Sequence, residues 1–528
     1  MNIFAQSRQS IAAMDVSEAF TQTDEASQGG RGVKTFLRLP SQWKTILLPT
    51  YLKNRGIGSQ NYGDFLLQVL RSIYGEAFAP KKWQQTLRRV LVAHGFKETE
   101  LEEALFVRIE GGKITIISTY VDDIWVFSQD SDFLVNLMFD ISRELRCTPA
   151  EFLCGAPDWF WTQVKDGDVR LPAGDFDHGA ATILTERQKE IIAFFKPLKG
   201  SKRYGIATRD DPVSYVSIDL YFDGDFLVLD QSSYMEKAFQ KLLDKKVISQ
   251  EESLNMATLR TDMFNHLSLF EDCDKNPLLT KEQLSFLRIG VNTLSFYALS
   301  IGIGLQSALG QVARGQSAGR LRHLEALKIL IFYAYQHRDN VLKVHCPSFN
   351  SGAESLDTLQ IFIKGQVDAS MGSSSALGTD AYARQGCIIF VGVLRDHESP
   401  VQGKSAIQST VSLSTCEAEL TASSWCAKIL IGLTNLLKEI FQGATIETPS
   451  LYGDNRASNL LSSNQASLRN HRHLQLPQIW IRQQARNGLI KVFDISTNKN
   501  SSDMLTKVLP HDKLTYLLSL IGYQKRLE

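Results

Sequence analysis

Two adjacent carboxylates, Asp122 and Asp123, stand between apolar runs of strand length at residues 114–120 and 124–127. Both flanks are rich in β-branched and aromatic residues, so Tyr120-Val121-Asp122-Asp123 is expected at the tip of a hairpin. Such a tip holds two like charges a few ångströms apart, which costs free energy unless a cation bridges them. A divalent metal site is one reading of the pair. A solvated turn, in which aspartate is a common residue, is the other.

At 528 residues, 43% of them hydrophobic, the chain is expected to form about three soluble globular domains. Lys+Arg and Asp+Glu both total 57, so overall charge selects no partner and polyanion binding has to come from local patches. Cys147, Cys154, Cys273, Cys346, Cys387, Cys416 and Cys426 include no Cys-x-x-Cys pair and no zinc-type spacing with histidine. This reads as a reduced, intracellular chain with structural thiols. No cationic start followed by a long apolar stretch marks a signal peptide. The most apolar window, residues 294–309, is interrupted by Ser295, Ser300, Gly302, Gly304, Gln306 and Ser307, as expected of a buried helix rather than a membrane span. Residues 21–32, 165–180 and 346–357 are turn-rich, and domain boundaries are expected near 228 and 355.

Upstream of the pair, Ala13-Met14-Asp15-Val16-Ser17-Glu18-Ala19-Phe20 puts a third carboxylate at the end of a short apolar segment, with an aromatic five residues on. Between them lie Ser72-Ile73-Tyr74-Gly75, then Ala79-Pro80-Lys81-Lys82-Trp83 and an amphipathic stretch through Leu87, Val90, Leu91 and Phe96. In order and residue type these segments resemble the reverse transcriptase of copia-type LTR retrotransposons, whose motifs read like Q-M-D-V-K-T-A-F, Y-G-L-K-Q-A-P-R-A-W and Y-V-D-D. The resemblance implies that Asp15, Asp122 and Asp123 hold two Mg²⁺ ions, or Mn²⁺, for attack of a primer 3′-oxygen on a nucleotide α-phosphate. It also implies Phe20 as the ring that excludes a ribose 2′-hydroxyl, and Tyr74, Lys81 and Tyr120 as substrate contacts. By residue type alone, Phe20 equally suits a core aromatic, and Lys81 with Lys82 a solvated helix face.

The chain departs from that pattern at two places. Glu76-Ala77-Phe78 replaces the family's Leu-Lys-Gln, so a cation expected near the nucleotide is missing and an anion stands nearby. Only fourteen residues precede Asp15, which implies an N-terminally truncated polymerase with incomplete fingers. Residues near 40–65 and 155–212 fall outside the resemblance, and the latter read as an insertion.

The resemblance resumes at Tyr215-Val216-Ser217-Ile218-Asp219-Leu220, read as a strand, and at the helix start Gln231-Ser232-Ser233-Tyr234-Met235-Glu236-Lys237. The family has F-L-G-I-x-I and L-S-Q-x-x-Y-I-x-K there, with glycine where this chain has Ser217. Residues 280–345 carry long helical patterns with Arg314, Arg320, Arg322, His323 and Lys328. They fit a thumb or connection gripping a duplex backbone, or equally the polar face of a bundle.

A second carboxylate constellation occupies the last third. Residues 361–367 have strand character and deliver Asp368, and residues 386–391 form a further strand. Ser414-Thr415-Cys416-Glu417 fits a capping box, giving Glu417 a structural task and leaving Glu419 for chemistry. The helix should run on through Leu420, Trp425, Ile429, Leu433, Leu436 and Ile440. Asp454 follows a short strand, and Asp503 lies in Ser501-Ser502-Asp503-Met504-Leu505-Thr506-Lys507. These segments look like the copia-type ribonuclease H motifs S-D-A-D, S-S-T-E-A-E-Y, C-D-N-Q-A and A-D-I-L-T-K. The resemblance implies that Asp368, Glu419, Asp454 and Asp503 bind two Mg²⁺ ions. His473 falls in a segment similar to K-H-I-D-I-R and is a candidate for proton transfer or product release. Gln475 and Pro477 depart from that segment.

The combined reading is an α+β / α/β multidomain retroelement Pol fragment. A reverse-transcriptase palm, an antiparallel sheet with helices, spans 1–228, a helical thumb or connection 229–350, and a ribonuclease H-like mixed α/β domain 355–528. Expected partners are RNA template, DNA primer, RNA–DNA hybrid, deoxynucleotides and other parts of the same polyprotein, with no membrane. The expected location is the cytoplasm, a virus-like particle or the nucleus. The ribonuclease H half is expected to be the active one. The alternative is a non-catalytic nucleic-acid-binding remnant.

Overall fold

The apolar runs flanking the aspartate pair fold as adjacent strands of a six-stranded antiparallel sheet. Lys113–Tyr120 pairs with Asp123–Ser128, with Tyr120 opposite Asp123, so Val121 and Asp122 are the two loop residues. Across the sheet the strands run Lys97–Glu98, Leu105–Glu110, Lys113–Tyr120, Asp123–Ser128, Ser10–Asp15 and Glu151–Cys154. Helices Ala79–Ala93 and Ser131–Glu144 bury Trp83, Leu87, Leu134 and Met138 against Ile117, Ile124 and Val126. The computed structural model describes residues 2–6, 9–23, 36–38, 66–68, 71–148, 150–157, 159–160, 184–195, 207–254, 277–346, 358–371, 374–375, 378–379, 382–393, 398–467 and 476–526. Within the expected insertion, helix Glu186–Phe195 packs on this first unit. Arg187 pairs with Asp140 and lies over the Phe139 ring, which Phe194 meets edge-on.

A second, five-stranded antiparallel sheet orders Val213–Tyr215, Ile218–Asp223, Phe226–Asp230, Asn340–His345 and Tyr523–Lys525. The segment read as one strand across 215–220 is instead a hairpin, turning at Val216 and Ser217 with Ile218 opposite Tyr215. The boundary expected near 228 falls inside Phe226–Asp230, which is hydrogen-bonded to a strand on each side. The last strand brings chain from the expected C-terminal domain into this middle unit.

Helices Ser232–Asp244, Lys281–Leu299, Gln306–Ala313 and Leu321–Gln336 build a helical unit beside that sheet. The apolar window 294–309 is not one helix. It breaks after Leu299, where Gly302 returns its N–H to the Tyr297 carbonyl at 2.8 Å and a Cβ at 302 would fall 2.4 Å from the Tyr297 ring. After the break, Gln306 reaches an edge strand of the third sheet. Its amide donates to Gly403 O and accepts from Ser405 N, both at 3.0 Å, so an exposed backbone edge is satisfied by a side chain.

The third sheet orders Ser399–Val411, Tyr382–Gly392, Gln360–Ser370, Ser450–Gly453 and Lys491–Asp494. Its first three strands are antiparallel and its last two run parallel to Gln360–Ser370. Helix Thr415–Ile440 connects the two parts and lies so close that a Cβ on Gly365 would sit 2.9 Å from Leu430 and 3.0 Å from Cys426. By length and composition alone this helix could cross a membrane, yet half of its apolar window is buried inside the protein. The fold is therefore mixed α/β with antiparallel sheets. Its units share cores: Phe4 lies 5.7 Å from the Phe127 ring of the first sheet and 6.2 Å from the Phe441 ring beside the third. Among the described residues, Cys147, Cys154, Cys346, Cys387, Cys416 and Cys426 form no disulfide.

Candidate metal centre

The third sheet brings Asp368, Glu419 and Asp454 together from three separate segments. Asp368 lies near the end of the central strand, opposite Gly386. Glu419 stands early in the long helix, and Asp454 directly follows the strand whose Gly453 pairs with Val367. One carboxylate oxygen from each lies within 4.8 Å of the others, with Asp368 and Glu419 buried and Asp454 half-buried.

Local chemistry explains the convergence. Ser414 Oγ accepts the Glu417 N–H at 3.2 Å, while Glu417 Oε2 accepts the Leu413 N–H at 2.8 Å, one residue before a capping box would have it. Glu417 is thereby committed to the helix start, and Glu419 turns into the cluster, where the Ala369 N–H donates to it. Opposite Asp368, a Cβ on Gly386 would lie 2.6 Å from Leu505 Cβ, so only glycine lets the helix Asp503–Thr506 approach. Asn500 donates to Val367 O at 2.9 Å, and Asn459 joins Gly453 O at 2.8 Å to Asp494 Oδ1 at 2.7 Å. Both asparagines clamp the strands that carry the aspartates. Residue type and spacing did not single out either one, because a polar residue in a turn-rich run reads as exposed.

Burial, followed by repulsion from Asp368 and Asp454, pushes the Glu419 carboxyl up to about 9. Burial likewise raises Asp368, against the opposing pull of Lys507 and the Thr506 hydroxyl that donates to it. Hard oxygen donors crowded until they resist ionisation fit a divalent cation.

Asp503, the fourth expected ligand, is not in that group. It is 1% exposed, and its two oxygens accept from Lys507 and Lys513. Burial would raise its carboxyl, but these two ammoniums outweigh it and hold Asp503 below the usual carboxylate value. Lys507 also lies 3.4 Å from Asp368 Oδ2.

In the first sheet Asp15 and Asp123 are cross-strand partners, and Asp122 occupies the adjoining loop. Burial, then Asp122 and Asp15, raise Asp123 to about 6; burial and Asp122 raise Asp15. The three do not form a group as close as the one around Asp368 among the described residues. The loop is pinned by Val16 N–H to Asp122 O at 2.8 Å and by the Trp83 indole N–H to Val121 O. Phe20 lies 4.8 Å from the exposed Tyr74 ring, and Tyr120 and Lys81 are also exposed. Glu76, the anion in the departing motif, pairs with Lys82 at 2.9 Å. His473 lies outside the described residues.

Residues 46–148 match the family model described as reverse transcriptase (RNA-dependent DNA polymerase). The chain is 22% identical over 458 residues to the retrovirus-related Pol polyprotein from transposon TNT 1-94 of Nicotiana tabacum, covering 86% of this chain and 28% of that one. Against the corresponding polyprotein from transposon RE1 of Arabidopsis thaliana, identity is 20% over 460 residues, with 87% and 25% covered. The chain is a relative of copia-type retrotransposon Pol polyproteins. This Pol relative spans about a quarter of the length of those curated sequences. The matched reverse-transcriptase segment takes in residues 46–65, outside the motifs that carry the resemblance, and begins downstream of Asp15. Among solved structures, the N-terminal RNase H domain of a Mycobacterium tuberculosis protein, fused to maltose-binding protein, aligns at 11% identity and a TM-score of 0.20. That alignment covers 31% of the Pol relative and 98% of the solved chain.

Proposed function

We propose that the third-sheet unit hydrolyses the RNA strand of RNA–DNA hybrids, and that it is the active half of this Pol relative. One observation carries the reading: three carboxylates from distant segments lie within 4.8 Å of one another around a buried strand. Asp368, Glu419 and Asp454 would hold Mg²⁺, which when bound activates water for attack on a phosphodiester and stabilises the leaving 3′-oxygen. The chain's own groups set the geometry. The Ala369 N–H orients Glu419, the Thr506 hydroxyl fixes Asp368, and the two clamping asparagines keep the strands in register. The first unit keeps the marks of a template-directed polymerase without being proposed as active: its matched family segment and Asp15 facing Asp123 support that descent.

Purified protein given Mg²⁺ and a hybrid labelled on its RNA strand should cleave the RNA. Asp454→Asn should lower the rate at least about a hundredfold, as expected when a ligand of a catalytic metal is lost. Equal cleavage by variant and parent would sink the assignment. Hybrid binding without cleavage by the parent would favour the non-catalytic remnant.

A further inference from the structure

Arg384 is a buried cation whose neighbour is a second cation rather than a carboxylate. It lies on strand Tyr382–Gly392 opposite Ser370 and is 8% exposed. Gly310 of helix Gln306–Ala313 covers it so closely that a Cβ there would sit 2.9 Å from Arg384 Nη1. The same nitrogen donates to Ser405 Oγ at 3.0 Å. Ser405 is itself held, its hydroxyl donating to Leu505 O at 2.6 Å and its N–H to Gln306 Oε1 at 3.0 Å. Arg314 caps that helix one turn beyond Gly310 and is exposed.

A guanidinium carries five N–H donors, and burying its charge is costly unless an anion pairs with it. Among the described residues Arg384 makes no ion pair, and Ser405 Oγ is the acceptor of its side chain. Burial, then repulsion from Arg314, pulls the Arg384 pKa down to about 10, and no carboxylate acts against them. The carbonyl end of the helix offers about half a negative charge at most, less than a full counter-ion. Ser405 and the covering helix thus hold a guanidinium fork in place without an anion to meet it.

We propose that Arg384 and Arg314 bind a terminal phosphate, as inorganic phosphate or as a phosphate monoester, at the junction between the helical unit and the third sheet. Guanidinium forks match phosphate oxygens in pairs, and a terminal phosphate offers three acceptor oxygens, enough for two arginines. Cover by the helix favours a small ion or a strand end over the flank of a duplex, whose phosphates are diesters. The two arginines belong to different units, so the bound phosphate ties helix Gln306–Ala313 to the sheet, two residues along the strand from Gly386, the partner of Asp368. This site needs neither the metal nor the carboxylates of the hydrolysis reading.

The test is equilibrium dialysis of the full chain against radiolabelled inorganic phosphate. EDTA excludes metal-bound phosphate, and chloride holds the ionic strength constant. The parent should bind phosphate saturably, and Arg384→Gln and Arg314→Gln should each weaken binding at least about tenfold, the loss expected of one charge-assisted hydrogen bond. Arg384→Lys, which keeps the charge but not the fork, should fall between parent and Arg384→Gln. If the buried substitution fails to fold, the exposed Arg314 variant still decides. Displacement of the label by a 5′-phosphorylated oligonucleotide but not by its 5′-hydroxyl form supports a strand end as the ligand, and displacement by neither supports free phosphate. Equal displacement by both would mean a backbone diester and overturn the terminal-phosphate assignment. No saturable binding by the parent, or parent-like affinity in either folded glutamine variant, overturns the site.

Discussion

Ser217 stands at φ 59 and Val216 at φ 47, the two central positions of the loop joining Val213–Tyr215 to Ile218–Asp223. A type I′ turn demands positive φ at both, and a residue with a Cβ adopts it at a cost of about 1–2 kcal/mol. Where the resembled family has glycine, this chain therefore carries strain. Ser217→Gly should stabilise the protein by about 0.5–1 kcal/mol, the relief being partly offset by a more flexible unfolded chain. The readout is a higher urea midpoint at unchanged slope; a lower midpoint would refute it. Val121, at φ 57 in the loop that presents Asp122, is strained in the same way and is held there by Trp83. A β-branched residue in this conformation is unusual, and such strain tends to gather at functional sites. Residue types located the Asp122 loop but not its conformation, which the surrounding contacts impose.

Among the helices, Leu321–Gln336 shows what periodicity can and cannot say. Its start is capped by His323, whose Nδ1 accepts the Arg320 N–H at 3.1 Å from a nearly fully buried ring. Burial lowers the pKa of His323, so folding disfavours the protonated ring. Below about pH 6.5 the unfolded chain takes up a proton that the folded one resists, so the stability present above that pH is lost on acidification. His323→Gln retains an acceptor at the same helix position without titrating. The drop in urea midpoint between pH 7 and pH 5 should be smaller in the variant than in the parent, and an equal drop would refute the assignment. Of the basic cluster expected to grip a duplex, His323 is turned inward and Lys328 pairs with Glu252 at 2.6 Å. The sequence showed helices rich in cations; which side each cation faces came from packing.

For the whole molecule, the C-terminal strand is the clasp. Tyr523–Lys525 pairs with Asn340–His345, the Tyr523 hydroxyl meets Tyr297 at 3.0 Å, and Arg526 binds Asp230 at 2.7 Å and Asp339 at 2.9 Å. Asp230 is 3% exposed, so Arg526→Ala would leave a buried carboxylate short of its cation. Because Arg526 itself is partly solvated, the expected cost is about 1–3 kcal/mol, seen as a lowered denaturation midpoint. An unchanged midpoint would mean that Asp230 finds water or another donor instead.

The order of motifs along this chain was enough to determine its kinship, the hairpin around Asp122, the long helix bearing Glu419 and the mixed α/β character. Each of these depends on residue type and short-range periodicity, which a sequence displays directly. Tertiary structure decided the rest. It assigned residues 523–525 to the middle sheet and gathered Asp368, Glu419 and Asp454, while Asp503 was drawn aside by two lysines. A motif names a carboxylate, but whether that carboxylate meets a metal or an ammonium depends on which segments fold against it. Lys507 reaches Asp503 across a single helical turn, whereas its approach to Asp368 comes from the helix Asp503–Thr506 docking where Gly386 has no side chain.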